Sequence, residues 1–316
     1  MDDDPGSISS THTPGGSAPV VTARSGQSIR TSTYRAKIAG RCRLITVTWC
    51  RNFSLHGFYV SVGMRDDGEA CRCKVELKAW NVWRRHGSKR FAVEEGETVQ
   101  VAWDLRGARF HGDTEPRSDY YVAVVWRGEV ALLLGDREKD AYRRTRSLPA
   151  LVDPALVSRK EHVFGRSEFS TRMMPHGKGR SHEISIGCRN VTAGDGGAAS
   201  GGADPEMEIR IDGKVAVRVK PLQWKFRGNE CVRVGRTSGV EVFWDAHDWI
   251  FRSGPRRALF IFKPISMSSA CATLEAASTS TQRSAPAPDS SPAGGEKLHG
   301  DGSNGVCLFF YAWKID

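Results

Sequence analysis

The residues with the clearest capacity for chemistry are two aspartates that each follow a tryptophan. The pairs are Trp103-Asp104 and Trp244-Asp245, separated by 141 positions. Two carboxylates can act as acid and base in glycoside hydrolysis, so a carboxylate-based hydrolase is one hypothesis. The alternating residues before each pair favour another interpretation. In it, the tryptophan completes the inward face of a strand and the aspartate caps a turn.

A denser polar cluster follows the second pair and contains His247 and Asp248. These two residues are candidate binding residues, although an exposed histidine in a loop of solvated aspartates is the alternative interpretation. The sequence contains no G-x-S-x-G, phosphate-binding loop, H-E-x-x-H or dinucleotide fingerprint. These absences favour a protein without enzymatic activity, but they do not exclude an enzyme.

The best basic cluster spans the end of a predicted helix and the segment after it. Its candidate binding residues are Arg143, Arg144, Arg146, Arg159 and Lys160. They predict contact with an anionic partner, or else they cap the helix and coat its solvent face. The formal net charge of +10 is dispersed along the chain. The dispersed charge makes nucleic acid the weaker alternative. A protein partner is predicted because insertions rich in serine and glycine can carry short recognition segments.

Cysteine usage gives no sign of a metal site. The eight cysteines form no C-x-x-C pair and no histidine completes a zinc site, so no metal and no cofactor are predicted. Free thiols favour a reducing compartment. No apolar run approaches the roughly 20 residues of a membrane span, and the acidic start does not favour a secretory signal. An intracellular location, cytoplasmic or nuclear and not secreted, is predicted.

The chain resembles itself at an offset of 141 residues. Residues 83–110 and 224–251 are identical at eight of 28 ungapped positions, including Trp103/Trp244 and Asp104/Asp245. The match continues with small gaps in both directions, and Val306–Phe310 corresponds to Val130–Leu134. The final strand, Val306–Trp313, is therefore expected to pair beside the strand that contains Leu259–Phe262. The chain is therefore predicted to be a tandem duplication.

Apolar residues alternate with period two throughout both copies, as in Val99, Val101 and Trp103. The pattern predicts an all-β protein made of two tandem copies of a β-sandwich or barrel-like unit. The copies are expected to pack through their tryptophan-bearing faces. One connecting helix is predicted at Asp136–Arg146, because acids come early and arginines late in it.

The predicted organisation has four parts: a disordered tail at 1–31, a first β unit at 32–135, a helix and connector at 136–167, and a second β unit at 168–316. A disordered insertion at 266–304 is expected within the second unit, since its Ser, Ala, Pro and Gly composition cannot bury a core. A smaller insertion is expected at 193–203.

Several motifs resemble a plant protein family catalogued as domain of unknown function 868. They include RCRLITVTWC, VAWDLRGARF, LLLGDREKDAYRRT, DPEMEIRIDGKVAVRVK and VFWDAHDWIF. The similarity runs from about residue 33 to 262 and returns at LFFYAWK. It implies a plant source, and it supplies neither an activity nor functional residues.

The function is therefore not defined by the sequence. The prediction is a non-catalytic binding or adaptor protein, because a duplicated β framework lacks catalytic motifs. A small-ligand-binding β-barrel, which would hold its ligand in an interior cavity, and a carboxylate-based hydrolase remain the alternatives.

Overall fold

The computed structural model describes residues 25–38, 40–52, 55–63, 71–78, 85–93, 97–174, 181–191, 204–254, 256–266 and 306–315. The described chain is mostly β-strand, as the alternating pattern predicts. Its elements are, in chain order, β1 (Ser28–Ile38), β2 (Arg41–Arg51), β3 (Leu55–Gly63), β4 (Cys71–Lys78), β5 (His86–Ala92), β6 (Thr98–Asp104), β7 (Tyr121–Trp126), β8 (Glu129–Gly135), α1 (Glu138–Thr145), β9 (Leu148–Pro149), β10 (Ala155–Phe164), β11 (Glu168–Met173), β12 (His182–Val191), β13 (Asp204–Ile211), β14 (Lys214–Val219), β15 (Arg227–Arg233), β16 (Ser238–Asp245), α2 (His247–Phe251), β17 (Arg256–Ser266) and β18 (Leu308–Lys314).

The strands form three open sheets. The largest has nine strands in the order β15-β16-β17-β18-β10-β1-β2-β3-β4, the second has five in the order β5-β6-β7-β8-β9, and the third has four in the order β11-β12-β13-β14. Most neighbours are antiparallel, but β10 pairs in parallel with β18 and antiparallel with β1. Strand β10 therefore joins the two ends of the chain in one sheet.

The two larger hydrophobic cores of the described residues lie on the same face of the nine-stranded sheet. The first core packs β1 to β4 against β6 to β8, and the second packs β16 to β18 against β11 to β14. One row of register partners crosses the sheet from β16 to β4 on this inner face: Trp244, Phe260, Phe310, Glu161, Arg30, Trp49, Phe58 and Val75. Aromatic side chains fill both halves of the row, and a charged pair lies between them.

That charged pair joins the two cores. Arg30 Nε lies 3.0 Å from Glu161 Oε1, and its Nη1 lies 3.3 Å from Glu115 Oε2. Thr171 of β11 donates to Glu161 at 2.8 Å. All four side chains are largely withdrawn from water, so the charges are satisfied by each other and hold β1, β10 and β11 in register.

The structure confirms the predicted position of the last strand and contradicts the predicted packing of the two copies. Strand β18 pairs with β17, with Phe310 opposite Phe260, as the internal repeat predicts. The expectation that the copies pack through their tryptophan faces is wrong. Trp103 belongs to the first core and Trp244 to the second, because β10 connects the halves edge to edge instead.

The helical content also differs from the prediction. The predicted connecting helix is present as α1, but α2 forms where a loop was expected. The predicted connector, 136–167, also contains β9 and β10. Strand β1 begins at Ser28, four residues before the predicted start of the first unit. Residues 1–24, 193–203 and 267–304 of the predicted tail and insertions lie outside the described residues.

Candidate functional site

A cleft of about 610 Å³ lies beside α1, and basic side chains dominate its lining. The lining residues are His86, Gly87, Trp103, Asp104, Arg106, Tyr121, Arg137, Asp140, Arg143, Arg144 and Arg146. Three of the predicted binding residues, Arg143, Arg144 and Arg146, are among them. Five arginines face two carboxylates, so the lining carries a net charge of +3 when His86 is neutral. We call this site the arginine cleft.

Strands β6 and β7 and helix α1 position the lining residues, and the local sequence explains how each of these elements forms. The alternating run of β6 buries Trp103 and ends at Asp104, and β7 begins at Tyr121. Helix α1 packs over this floor through Ala141, which is fully buried beside Tyr121. The floor is therefore part of the sheet and the basic wall is the helix.

The approach to α1 is fixed by one glycine and one aspartate. Gly135 has a φ of +97°, and a Cβ there would overlap the carbonyl oxygen of Tyr120, so the chain needs glycine to leave β8 at this point. The Asp136 carboxylate then accepts backbone N–H groups of Asp119 at 3.0 Å and Tyr120 at 3.1 Å. These hydrogen bonds lower the pKa of Asp136. They also hold the residues before α1 against the residues that precede β7.

Asp104 is the charged residue at the floor of the cleft. It is 5% exposed, and its carboxylate accepts from Arg106 Nη2 at 2.7 Å, Arg106 Nε at 3.0 Å and the Arg106 backbone N–H at 3.1 Å. Arg137 Nη1 approaches to 3.5 Å. Burial raises the pKa of Asp104, but the Arg106 hydrogen bonds outweigh it, so the pKa lies below its usual value and the carboxylate is ionised at neutral pH.

The helix wall carries the cations that face outward. Asp140 pairs with Arg137, whose Nη2 lies 2.6 Å away, and with Arg143. Arg143 is 81% exposed despite that pair. Arg144 and Arg146 are exposed and form no ion pair with any residue that the structure describes. The arginine cleft therefore presents cationic charge that its own carboxylates do not neutralise.

Two further predicted binding residues, Arg159 and Lys160, do not join this cleft. Both lie on β10, where successive side chains point to opposite faces. Arg159 is half-buried on one face, whereas Lys160 is exposed on the other face. The basic cluster seen in the sequence is thus divided among three places in the structure.

His247 and Asp248 open α2 in the second half of the chain. His247 Nδ1 lies 3.3 Å from Asp248 Oδ1, and its ring packs between Phe226 and Phe251 at centroid distances of 5.5 and 5.4 Å. Hydrogen bonding from His247 lowers the pKa of Asp248. The pair is half-buried against aromatic rings, which differs from the exposed loop that the sequence suggested.

The two aspartates of the hydrolase hypothesis have separate partners. Asp104 binds Arg106 and Arg137, whereas Asp245 binds Arg227 Nε at 2.9 Å and accepts the His247 backbone N–H at 3.0 Å. They end strands of different sheets. Each carboxylate accepts the N–H two residues later, so the predicted turn-capping role describes both.

A second cleft, of about 440 Å³, lies on the four-stranded sheet. Glu168, Glu206 and Glu208 line it together with Arg210 and Arg218. Glu208 pairs with Arg210 Nε at 2.5 Å and with Arg218, which also lies 3.5 Å from Glu206. The lining therefore carries a net charge of −1, which is smaller than the net charge of the arginine cleft.

Sequence reasoning missed two members of the arginine cleft, Arg106 and Arg137. Arg106 comes two residues after Asp104 and Arg137 directly precedes α1. A signal existed for Arg106, because an aspartate that caps a turn accepts hydrogen bonds from the residue two positions on. No local signal brings Arg137 to Asp104, since their contact depends on packing of α1 over β6.

Metal binding and membrane spanning receive no support from the described residues. Within them, no three His, Cys, Asp or Glu side chains cluster closely enough to hold a metal ion. No helix in the described part of the chain is long and apolar enough to cross a membrane.

The strands and sheets make this an all-β protein, and the lining of its arginine cleft carries net positive charge. A family model described as plant protein of unknown function (DUF868) matches residues 25–314, so the chain belongs to that family. The resemblance noted from its motifs is confirmed. Comparisons with curated proteins and with solved structures find no match.

Proposed function

We propose that this chain is a non-catalytic binding or adaptor protein whose arginine cleft holds an acidic segment of a partner protein. The observation that carries the proposal is the net charge of +3 in the cleft lining. Arg144 and Arg146 have no ion pair with any described residue, so an incoming carboxylate meets donors that are not already engaged.

The chemistry of the cleft supports binding more than catalysis. Asp104 is held ionised by Arg106, which makes it a poor general acid at neutral pH. Asp140 is shared between Arg137 and Arg143. Both carboxylates of the cleft therefore serve to fix arginines in place. The open sheets, in turn, give no support to the β-barrel alternative.

A protein segment fits the charge distribution better than a nucleic acid does. A duplex needs cations spread along a phosphate track, whereas Arg159 and Lys160 lie away from α1 on opposite faces of β10. The other three arginines of the predicted cluster, Arg143, Arg144 and Arg146, all line one cleft. A short acidic stretch matches that arrangement, and nucleic acid becomes an outcome of the test.

The proposal includes a tandem duplication as the origin of the framework. In the first half Trp103 is the register partner of Gly87, and in the second half Trp244 is the register partner of Gly228. The same glycine–tryptophan pair at the same offset supports two related units. The arginine cleft is built by α1 of the first copy, whereas α2 of the second copy corresponds, at the offset of 141, to residues 106–110 and not to α1. The intracellular location predicted from the cysteines stays a prediction.

The test measures binding of a fluorescein-labelled decaglutamate peptide to the full chain by anisotropy at low and physiological salt. The double substitution Arg143→Gln with Arg144→Gln should weaken binding about five- to tenfold, since exposed charge pairs contribute about 0.2–1 kcal/mol each. The matched control, Arg233→Gln with Arg236→Gln, removes the same charge from exposed positions outside the cleft.

The control variant should bind like the wild type. Equal losses in the two variants would mean that the peptide responds only to overall charge, and the cleft proposal would fail. A labelled DNA duplex that binds more tightly than the peptide, and loses affinity with the same cleft substitutions, would support the nucleic-acid alternative instead.

A further inference from the structure

The connector between α1 and β10 exposes three large apolar side chains that lie close together in the sequence. Leu151 is 94% exposed, Leu148 is 71% exposed and Val152 is 58% exposed. Most leucines and valines of the described chain are buried. Three such side chains lie within five residues, and clustered exposed apolar groups mark interaction sites. We call residues 148–152 the connector tip.

The backbone holds the connector tip in place. Leu148 and Pro149 form β9, which pairs with Glu129 and Val130 of β8, and the Leu148 N–H donates to the Gly128 carbonyl at 2.8 Å. The chain then bends before β10 begins. The apolar side chains are therefore presented outward from the edge of a sheet.

Cations flank the connector tip on its helical side. Arg144 and Arg146 are exposed, and neither forms an ion pair with a described residue. Arg146 is the C-cap of α1 in the left-handed conformation, only two residues before Leu148. An apolar tip with unpaired arginines beside it matches the two requirements of a peripheral membrane contact, which are insertion of apolar groups and attraction to anionic lipid.

The shape of the connector tip favours a bilayer over a protein partner. A protein partner would have to supply a complementary pocket that closes around these side chains. Leu148, Leu151 and Val152 are all exposed, and Leu151 is 94% exposed. A fluid interface accepts such a projection without a matching pocket.

We propose that the connector tip inserts into the headgroup region of an anionic bilayer, with Arg144 and Arg146 against the lipid headgroups. The inference goes beyond the proposed function, because Leu148, Leu151 and Val152 lie outside the cleft lining, whereas Arg144 and Arg146 belong to it. An acidic segment and an anionic lipid would therefore compete for these two arginines. Each surface is tested with its own ligand, so the failure of one is distinguishable from the failure of the other.

The experiment is co-sedimentation of the full chain with vesicles of phosphatidylcholine alone or with about one-third phosphatidylserine. We expect binding to the mixed vesicles only. Leu151→Ser with Val152→Ser should reduce the partition coefficient at least tenfold, and Arg144→Gln with Arg146→Gln should reduce it severalfold. The matched controls are Met174→Ser with Val215→Ser, which are both 44% exposed elsewhere, and Arg233→Gln with Arg236→Gln.

Both controls should bind mixed vesicles like the wild type, and thermal melts should show that every variant is folded. Absence of vesicle binding would overturn the inference. Unchanged binding by the Leu151/Val152 variant would overturn insertion, because charge alone would then explain adsorption. If that variant loses decaglutamate binding and keeps vesicle binding, the tip belongs to a protein-binding surface and the bilayer proposal is wrong.

Discussion

Trp244 lies over Gly228 of the neighbouring strand, and its indole leaves no space for a side chain there. A Cβ on Gly228 would come within less than 3.0 Å of the indole carbons. The indole is buried, and its Nε1–H donates to the Lys225 carbonyl at 3.1 Å. The ring therefore cannot move away without losing a hydrogen bond and core packing.

Replacing Gly228 by alanine should lower the free energy of unfolding by about 1–3 kcal/mol, the usual cost of overpacking a core. The control is Gly187→Ala in β12, where an added Cβ meets nothing within 4 Å. That variant should change stability by about 0.5 kcal/mol or less. Urea unfolding of both variants measures the difference, and equal effects would contradict the packing account.

Asp104→Asn should lower the free energy of unfolding by about 2 kcal/mol at neutral pH, because a buried carboxylate loses charged hydrogen bonds from Arg106. Asp245→Asn is the matched control. Its carboxylate is 41% exposed, and its loss should cost less than about 1 kcal/mol. Equal losses at the two positions would show that burial does not distinguish them.

The effect of Asp104→Asn should also depend on pH. The folded pKa of Asp104 lies below its usual value, so the carboxylate stabilises the fold fully above the unfolded pKa of about 3.9. That contribution disappears as the pH falls through the folded pKa. Urea unfolding at pH 7, 5 and 3 should therefore show the gap between wild type and variant narrowing below about pH 4. A constant gap would contradict the ion-pair explanation.

Glu161→Gln should destabilise the protein by about 3 kcal/mol, since Arg30 would keep its buried charge with only Glu115 as a partner. The control is Glu241→Gln, which removes an ion pair with Lys263, whose side chain is 49% exposed. That change should cost less than about 1 kcal/mol. A comparison of urea midpoints tests both, and a small effect of Glu161→Gln would mean that the junction does not depend on this pair.

Truncation after Gly305 should cause aggregation. It removes β18, which lies between β17 and β10 in the centre of the nine-stranded sheet, so two new sheet edges and the second core are uncovered.

Replacing residues 269–303 by a short glycine-rich loop should instead leave cooperative unfolding intact, because loop-closure entropy changes slowly with length. Size-exclusion chromatography and thermal melts distinguish the two outcomes. A monomeric truncation product would contradict the central position of β18.

Much of the fold was predictable because local patterns carry it. Alternation at Val99, Val101 and Trp103 identified β6, and the internal repeat placed β18 beside β17. The shared nine-stranded sheet was not predictable, since β10 pairs with strands more than a hundred residues away on each side. Helix α2, with five residues, is too short to produce a periodic signal.

The candidate site was predictable only in part. Arg143, Arg144 and Arg146 share one helix end and were identified together. Arg159 and Lys160 were grouped with them by nearness in the sequence, but a strand sends adjacent side chains to opposite faces. The contact between Arg137 and Asp104 arises from tertiary packing alone, so no sequence pattern in either segment predicts it.

Site-directed photo-crosslinking can locate the acidic segment that the arginine cleft is proposed to hold. A decaglutamate peptide with a central photoreactive residue is irradiated with the full chain, and adducts are mapped by mass spectrometry. We expect adducts on residues 137–146 and 103–106, suppressed by excess unlabelled peptide. Adducts concentrated on residues 224–252, or spread evenly over the basic surface, would contradict it.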